Sequence, residues 1–187
     1  MMTTTHGFVG ALLGVSTVAF APELAPSAVV VGFVAGALPD ADLLGTHRRS
    51  LHFPVFAPLV ALCFVGMATL WPTPLAVLLA VGSLAIAAHC FMDAFGGGVE
   101  VRPWEATSER GVYNHTSGRW IRPRRWVRYA GAPEDFVLAL VCALPVLALT
   151  SGALQLALTI VLVVSGLFTA VRRRLPAVTE RLFANEA

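Results

Sequence analysis

Lysine is missing altogether. All 13 basic residues are arginine, so any orientation read from positive charge rests on arginine alone. Charge of either sign is scarce: 13% of the 187 residues are charged, against about 25% in soluble domains. That shortage excludes an ordinary soluble protein. Cys63, Cys90 and Cys142 stand singly inside apolar runs, which speaks for reduced core residues rather than a disulfide framework. Residues 1–5 hold no Arg or Lys. Although Ala19-Phe20-Ala21 resembles a cleavage site, the positive region of a signal peptide is absent, and the segment reads as a retained helix. What the chain has in excess is apolar surface: 57% hydrophobic residues and a mean hydropathy of +0.75. The expected fold is an all-α, polytopic membrane bundle of about six helices, in one domain.

The apolar runs set the layout. The first covers His6–Ala21, with Thr3, Thr4 or Thr5 as a cap. After the turn APELAP, a second covers Ser27–Leu38 and stops at Pro39. Both are short for a span of about 17–25 residues. Gly10 and Gly14, and likewise Gly32 and Gly36, have the GxxxG spacing that lets helix backbones approach. A third run, Phe53–Trp71, leads to WPTP, where Thr73 is a candidate cap and Pro74 the first helical residue. The fourth, Leu75–Phe95, ends at Gly96-Gly97-Gly98. The one long polar segment, 99–133, contains VYNHTSGRWI, a hairpin pattern turning near Thr116-Ser117-Gly118. Glu134 and Asp135 open a fifth helix, where the macrodipole favours acids, and a sixth covers Ala153–Val171. The organisation expected is a metal-site core in 1–98, an arginine- and aromatic-rich loop in 99–133, and a helical hairpin with a basic tail in 134–187.

Six alternating passes put the N-terminus, residues 39–52, residues 96–133 and the C-terminus on one side. Every arginine falls there, and none falls in the turns near 22–26, 71–74 and 150–152. By the positive-inside rule that side is cytoplasmic, in a multi-pass inner-membrane protein. The segment Arg119–Tyr129, RWIRPRRWVRY, then reads as an interfacial anchor on anionic headgroups rather than a nucleic-acid surface.

The same layout gathers chemistry. His6, Asp40, Asp42, His47, His52, His89 and Asp93 all reach the cytoplasmic end of the bundle from different segments. Asp and His are costly in apolar surroundings unless paired or metal-bound. Four of the five histidines and three of the four aspartates gather here. His89 and Asp93 are four apart and share a helix face, as the ligands of HExxH do. Each residue also has a plainer reading: His6 as a hydrogen-bonded helix start, Asp40 as a turn cap, His89–Asp93 as a simple pair. The clustering favours divalent metal. Imidazole and carboxylate donors suit zinc, manganese or iron, and seven groups are enough for two or three ions. His47 is either a ligand or a group that orients one. Arg48 or Arg102 can hold an anionic substrate, and Glu100 or Glu105 can act as base, extra ligand or solvated loop acid. His115 reads as a surface histidine rather than a ligand.

His6, LPDAD at 38–42, HRRSLH at 47–52 and HCFMD at 89–93, trailing into GGGVEVRPW, together resemble the YdjM-type family of membrane-bound, metal-dependent hydrolases. The likeness covers residues 6 to 104. Where the family has HRGxTHS, this chain carries Arg49 for the glycine and Leu51-His52-Phe53 for Thr-His-Ser, with both histidines kept. The family is distantly similar to the zinc-dependent phospholipase C and P1 nuclease group. The resemblance implies a metal site, most readily zinc, and a metal-activated water that hydrolyses a phosphoester, small or phospholipid-like. Asp42, His47, Arg48 and Glu100 are the candidate catalytic residues. The competing class is a non-catalytic membrane protein with a structural or ion-handling metal site.

The charge layout is directly testable. A single cysteine at Arg122 should react with a membrane-impermeant maleimide only after cells are permeabilised, and labelling of intact cells would reverse the orientation.

Overall fold

The computed structural model describes residues 1–177; the end of the expected basic tail, 178–187, lies outside the described residues. The main α-helices among them are α1 (Thr3–Val15), α2 (Ala25–Ala37), α3 (Phe56–Leu70), α4 (Pro74–Met92), α5 (Pro133–Leu149) and α6 (Gly152–Val171). One two-stranded antiparallel sheet, β1 (Val112–Asn114) with β2 (Arg119–Ile121), pairs Tyr113 with Trp120 and is the expected hairpin. Gly118 sits in its turn at φ 65°.

Three helical segments are long and apolar enough to cross a membrane: Pro22–Leu43, Pro74–Phe95 and Gly152–Val171. The first includes α2 and its 3-10 flanks. α1, α3 and α5 are shorter, at 13, 15 and 17 residues. On α6, Leu156, Ile160, Val163, Val164 and Leu167 are each more than half exposed. Such a stripe is stable only against lipid or another apolar surface.

Local chemistry explains most helix ends. α4 starts as expected, with Pro74 in the first turn and Thr73 Oγ1 accepting from Ala76 N at 3.2 Å. α1 does not. It begins at Thr3 with Met2 in the cap position and no side-chain cap; the threonines lie inside the helix, where Thr3 donates to Asp40 and Thr5 to Asp135. α2 tightens into a 3-10 helix, Leu38–Leu44, that carries Pro39, Asp40 and Asp42.

The core lies where α1, α2, α5 and α6 meet, around Phe8, Ala11, Val29, Ala139, Ala143, Val146 and Leu158. A smaller cluster, Ala57, Ala61, Ala87 and Cys90, joins α3 to α4. α1 and α2 touch backbone to backbone. A Cβ on Gly10 would strike the Gly32 carbonyl, one on Gly32 the Gly10 carbonyl, and one on Gly36 the His6 carbonyl. The two GxxxG pairs therefore face one another, which lets His6 and Gly36 sit side by side.

The polar segment folds back over the end of α4. Arg124 N bonds Ala94 O, Arg125 N bonds Gly96 O and Val127 N bonds Phe95 O. A Cβ on Gly97 would strike the Arg128 carbonyl. Arg128 grips Glu134 at the head of α5 through Nε (2.8 Å) and a terminal nitrogen (2.9 Å).

Gly32→Val should overpack this crossing and cost at least ~1–3 kcal/mol. A clear fall in Tm in detergent is expected, whereas Gly66→Ala on α3, where a Cβ meets nothing within 4 Å, should hold or raise it.

Candidate metal centre

Four donors from three segments converge at one end of the bundle. Asp40, His52, His89 and Asp93 each offer an atom within 4.8 Å of the others, and all four residues are buried. Their separations describe a small polyhedron. His89 Nε2 lies 3.0 Å from His52 Nε2, 3.5 Å from Asp40 Oδ1 and 3.6 Å from Asp93 Oδ2. His52 Nε2 lies 3.2 Å from Asp93 Oδ2 and 3.9 Å from Asp40 Oδ1. Metal–ligand bonds of about 2.0–2.1 Å in tetrahedral geometry place ligands roughly 3.3 Å apart. The observed edges bracket that value.

Protons make the case sharper. His89 Nδ1 lies 2.6 Å from Gly36 O, a carbonyl that can only accept, so Nδ1 carries the hydrogen. His52 Nδ1 lies 2.9 Å from Asp42 Oδ2 and donates to that carboxylate in the same way. The two Nε2 atoms face each other at 3.0 Å, with two carboxylates alongside. Asp93 already faces the Arg48 guanidinium and the α-amino group of Met1, and a cation among the two Nε2 atoms and the Asp40 carboxylate could balance the charge that remains. This donor set fits a divalent metal.

The remaining residues hold the donors in place. Asp40 Oδ2 accepts from the Thr3 hydroxyl at 2.6 Å, which leaves Oδ1 to the histidines. Asp42 stands behind the group. It faces His47 Nδ1 at 2.9 Å and His52 Nδ1 at 2.9 Å, and accepts from Arg49 N and Leu51 N at 3.2 and 3.3 Å. Arg48, in the left-handed region at φ 59°, makes that tight loop possible. Its guanidinium is buried, with Nε 3.2 Å from Asp93 Oδ2 and a terminal nitrogen 2.5 Å from Gly97 O. Asp93 Oδ1 faces the other way, 3.1 Å from His6 Nε2 and 2.7 Å from the α-amino group of Met1. The His6 ring stacks on His89 at 3.7 Å, and its buried Nδ1 has no hydrogen-bond partner.

The structure thus brings four of the seven expected ligands into one group, and places His6, Asp42 and His47 against it through hydrogen bonds. Glu100 is turned to Ser108 N at 3.3 Å, and Arg102 lies 3.6 Å from Glu105; both stand in the loop. His115 Nε2 donates to Arg49 O at 2.8 Å and its ring stacks on Phe53, bracing the loop that carries His47 and His52.

Three contributors escape a reading of the sequence. Thr3 looks like a helix cap. Asp135 looks like a dipole partner, yet it is fully buried and accepts from Met2 N, the Thr5 hydroxyl and Gly131 N. The Gly36 carbonyl carries no side-chain signal at all. No family model, curated protein or solved structure matches the chain.

Asp42→Asn keeps the shape but replaces the carboxylate that orients His52. Metal affinity, measured by chelator competition, should fall by about 10–100-fold; an unchanged affinity would remove Asp42 from this role.

Proposed function

We propose that this chain is a membrane-embedded, metal-dependent hydrolase of phosphoesters, of the YdjM type, its metal face toward the cytoplasm. The observation that carries the reading is the pair of buried Nε2 atoms 3.0 Å apart beside two carboxylates. The ordered blocks His6, LPDAD, HRRSLH and HCFMD support it, and every arginine lies outside the three segments long and apolar enough to cross a membrane. His52, His89, Asp40 and Asp93 hold the metal. Zinc suits this donor set best, with manganese or iron as substitutes. Asp93 Oδ1 faces His6 and the α-amino group of Met1, so the donors present would hold one ion. When bound, such ions acidify water and stabilise charge on a phosphoryl oxygen.

The residues around the metal supply the rest. His47 and Asp40 both line a cavity, and Asp42 Oδ1 holds His47 Nδ1 at 2.9 Å. A carboxylate on Nδ1 fixes the tautomer that leaves Nε2 free to accept a proton. In this reading His47 takes a proton from the attacking water as its oxygen bonds phosphorus. As the ester P–O bond breaks, His47 returns that proton to the leaving alkoxide. Arg48 fixes a positive charge against Asp93 and holds that carboxylate in place. Glu100 receives no role.

A second reading has its own support. Two histidines and two aspartates form a complete four-donor set, and structural zinc sites are closed in that way. Two variants separate the readings. Purified protein should carry at least one divalent ion per chain and cleave p-nitrophenyl phosphoesters. Asp93→Asn should lose metal and activity together. His47→Gln should keep the metal and lose turnover by about 10²-fold or more. Bound metal without turnover in the parent would leave the structural reading standing, and no bound metal would sink both.

A further inference from the structure

A cavity of about 350 Å3 opens between the 3-10 segment after α2, the start of α1 and α6. Volumes of about 300–1,000 Å3 are usual for ligand sites. Its walls divide by polarity. Asp40, from the four-donor group, and His47 form one part, and Leu43, Val164 and Phe168 form another. Asp40 is 6% exposed and shares the buried wall with Met1, Met2 and Ser165, while Leu43 is 67% and Val164 54% exposed. Val164 belongs to the bare apolar face of α6 with Ile160, Val163 and Leu167, on a helix long and apolar enough to cross a membrane.

The Leu43 and Val164 side of the cavity is therefore on a surface that the bilayer would cover, and Asp40 brings the cavity to the edge of the four-donor group. A small water-soluble phosphoester gains nothing from a doorway of Leu43, Val164 and Phe168. An amphiphile matches the walls in order, with its chain against them and its phosphoryl group at Asp40 and His47. We infer that the ligand of this cavity is a lipid phosphoester, which reaches the site sideways from the bilayer with an acyl chain between Leu43 and α6. That the lipid is also a substrate rests on the hydrolase reading; the port itself rests on the cavity.

The full chain in lipid nanodiscs gives two separate tests. In Phe168→Trp, the fluorescence added over the parent should be quenched by phosphatidic acid brominated along its acyl chain, and little by aqueous iodide. The reverse pattern would overturn the port. In Val164→Trp, the ratio of phosphatidic acid to p-nitrophenyl phosphate turnover should drop at least tenfold. Leu156→Trp, elsewhere on the exposed face of α6, should leave that ratio unchanged. An unaltered ratio in Val164→Trp, or an equal drop in Leu156→Trp, would also overturn it. If the parent hydrolyses neither compound, the hydrolase reading fails and the quenching experiment alone decides the port.

Discussion

Two imidazole nitrogens held face to face, away from water, are the constraint on which this end of the molecule depends. Neither ring can turn away. The Gly36 carbonyl holds His89 by Nδ1, and the Asp42 carboxylate holds His52 by Nδ1. The two Nε2 atoms are thereby held 3.0 Å apart, close enough for one cation to take both as donors. With Asp40 and Asp93 alongside, the group could hold a divalent ion.

The same constraint couples site to scaffold. Gly36 accepts from His89 through its carbonyl and also lies so close to the His6 carbonyl that a Cβ there would collide. One residue thus sets the contact between α1 and α2 and the tautomer of a ligand on α4. The loop between α2 and α3 works similarly. Asp42 gathers two imidazoles and two backbone amides, and His115 and Tyr113 of the hairpin region brace that loop through the Arg49 and Arg48 carbonyls. The polar segment that follows α4 is a cover for the site as well as a surface, since its backbone bonds residues 94–96.

Much of this was legible in the chain. Apolar runs broken by proline and glycine located the helices, and VYNHTSGRWI located the hairpin, because backbone preferences and hydrophobic periodicity act locally. Clustering of His and Asp between greasy segments pointed to metal, because such groups are costly there. Local reasoning failed where a side chain had a distant partner. Thr3 and Thr5 read as caps, but their hydroxyls serve Asp40 and Asp135. Asp135 read as a helix-dipole acid, yet it ties down the start of α1 from across the bundle.

By itself the sequence determined the helical, apolar character of the chain, the place of its turns, and the set of seven residues from which a metal site can be drawn. Composition and spacing suffice for these, since burial cost and helix periodicity depend on residue type and local order alone. Which four of the seven meet, and which three stand behind, was decided only by tertiary structure. Asp40, Asp42, His47 and His52 lie within thirteen residues and look equivalent on paper. A 3-10 turn, a left-handed Arg48 and the Gly36 carbonyl separate donor from support. Backbone direction and long-range contact have no signature in residue order.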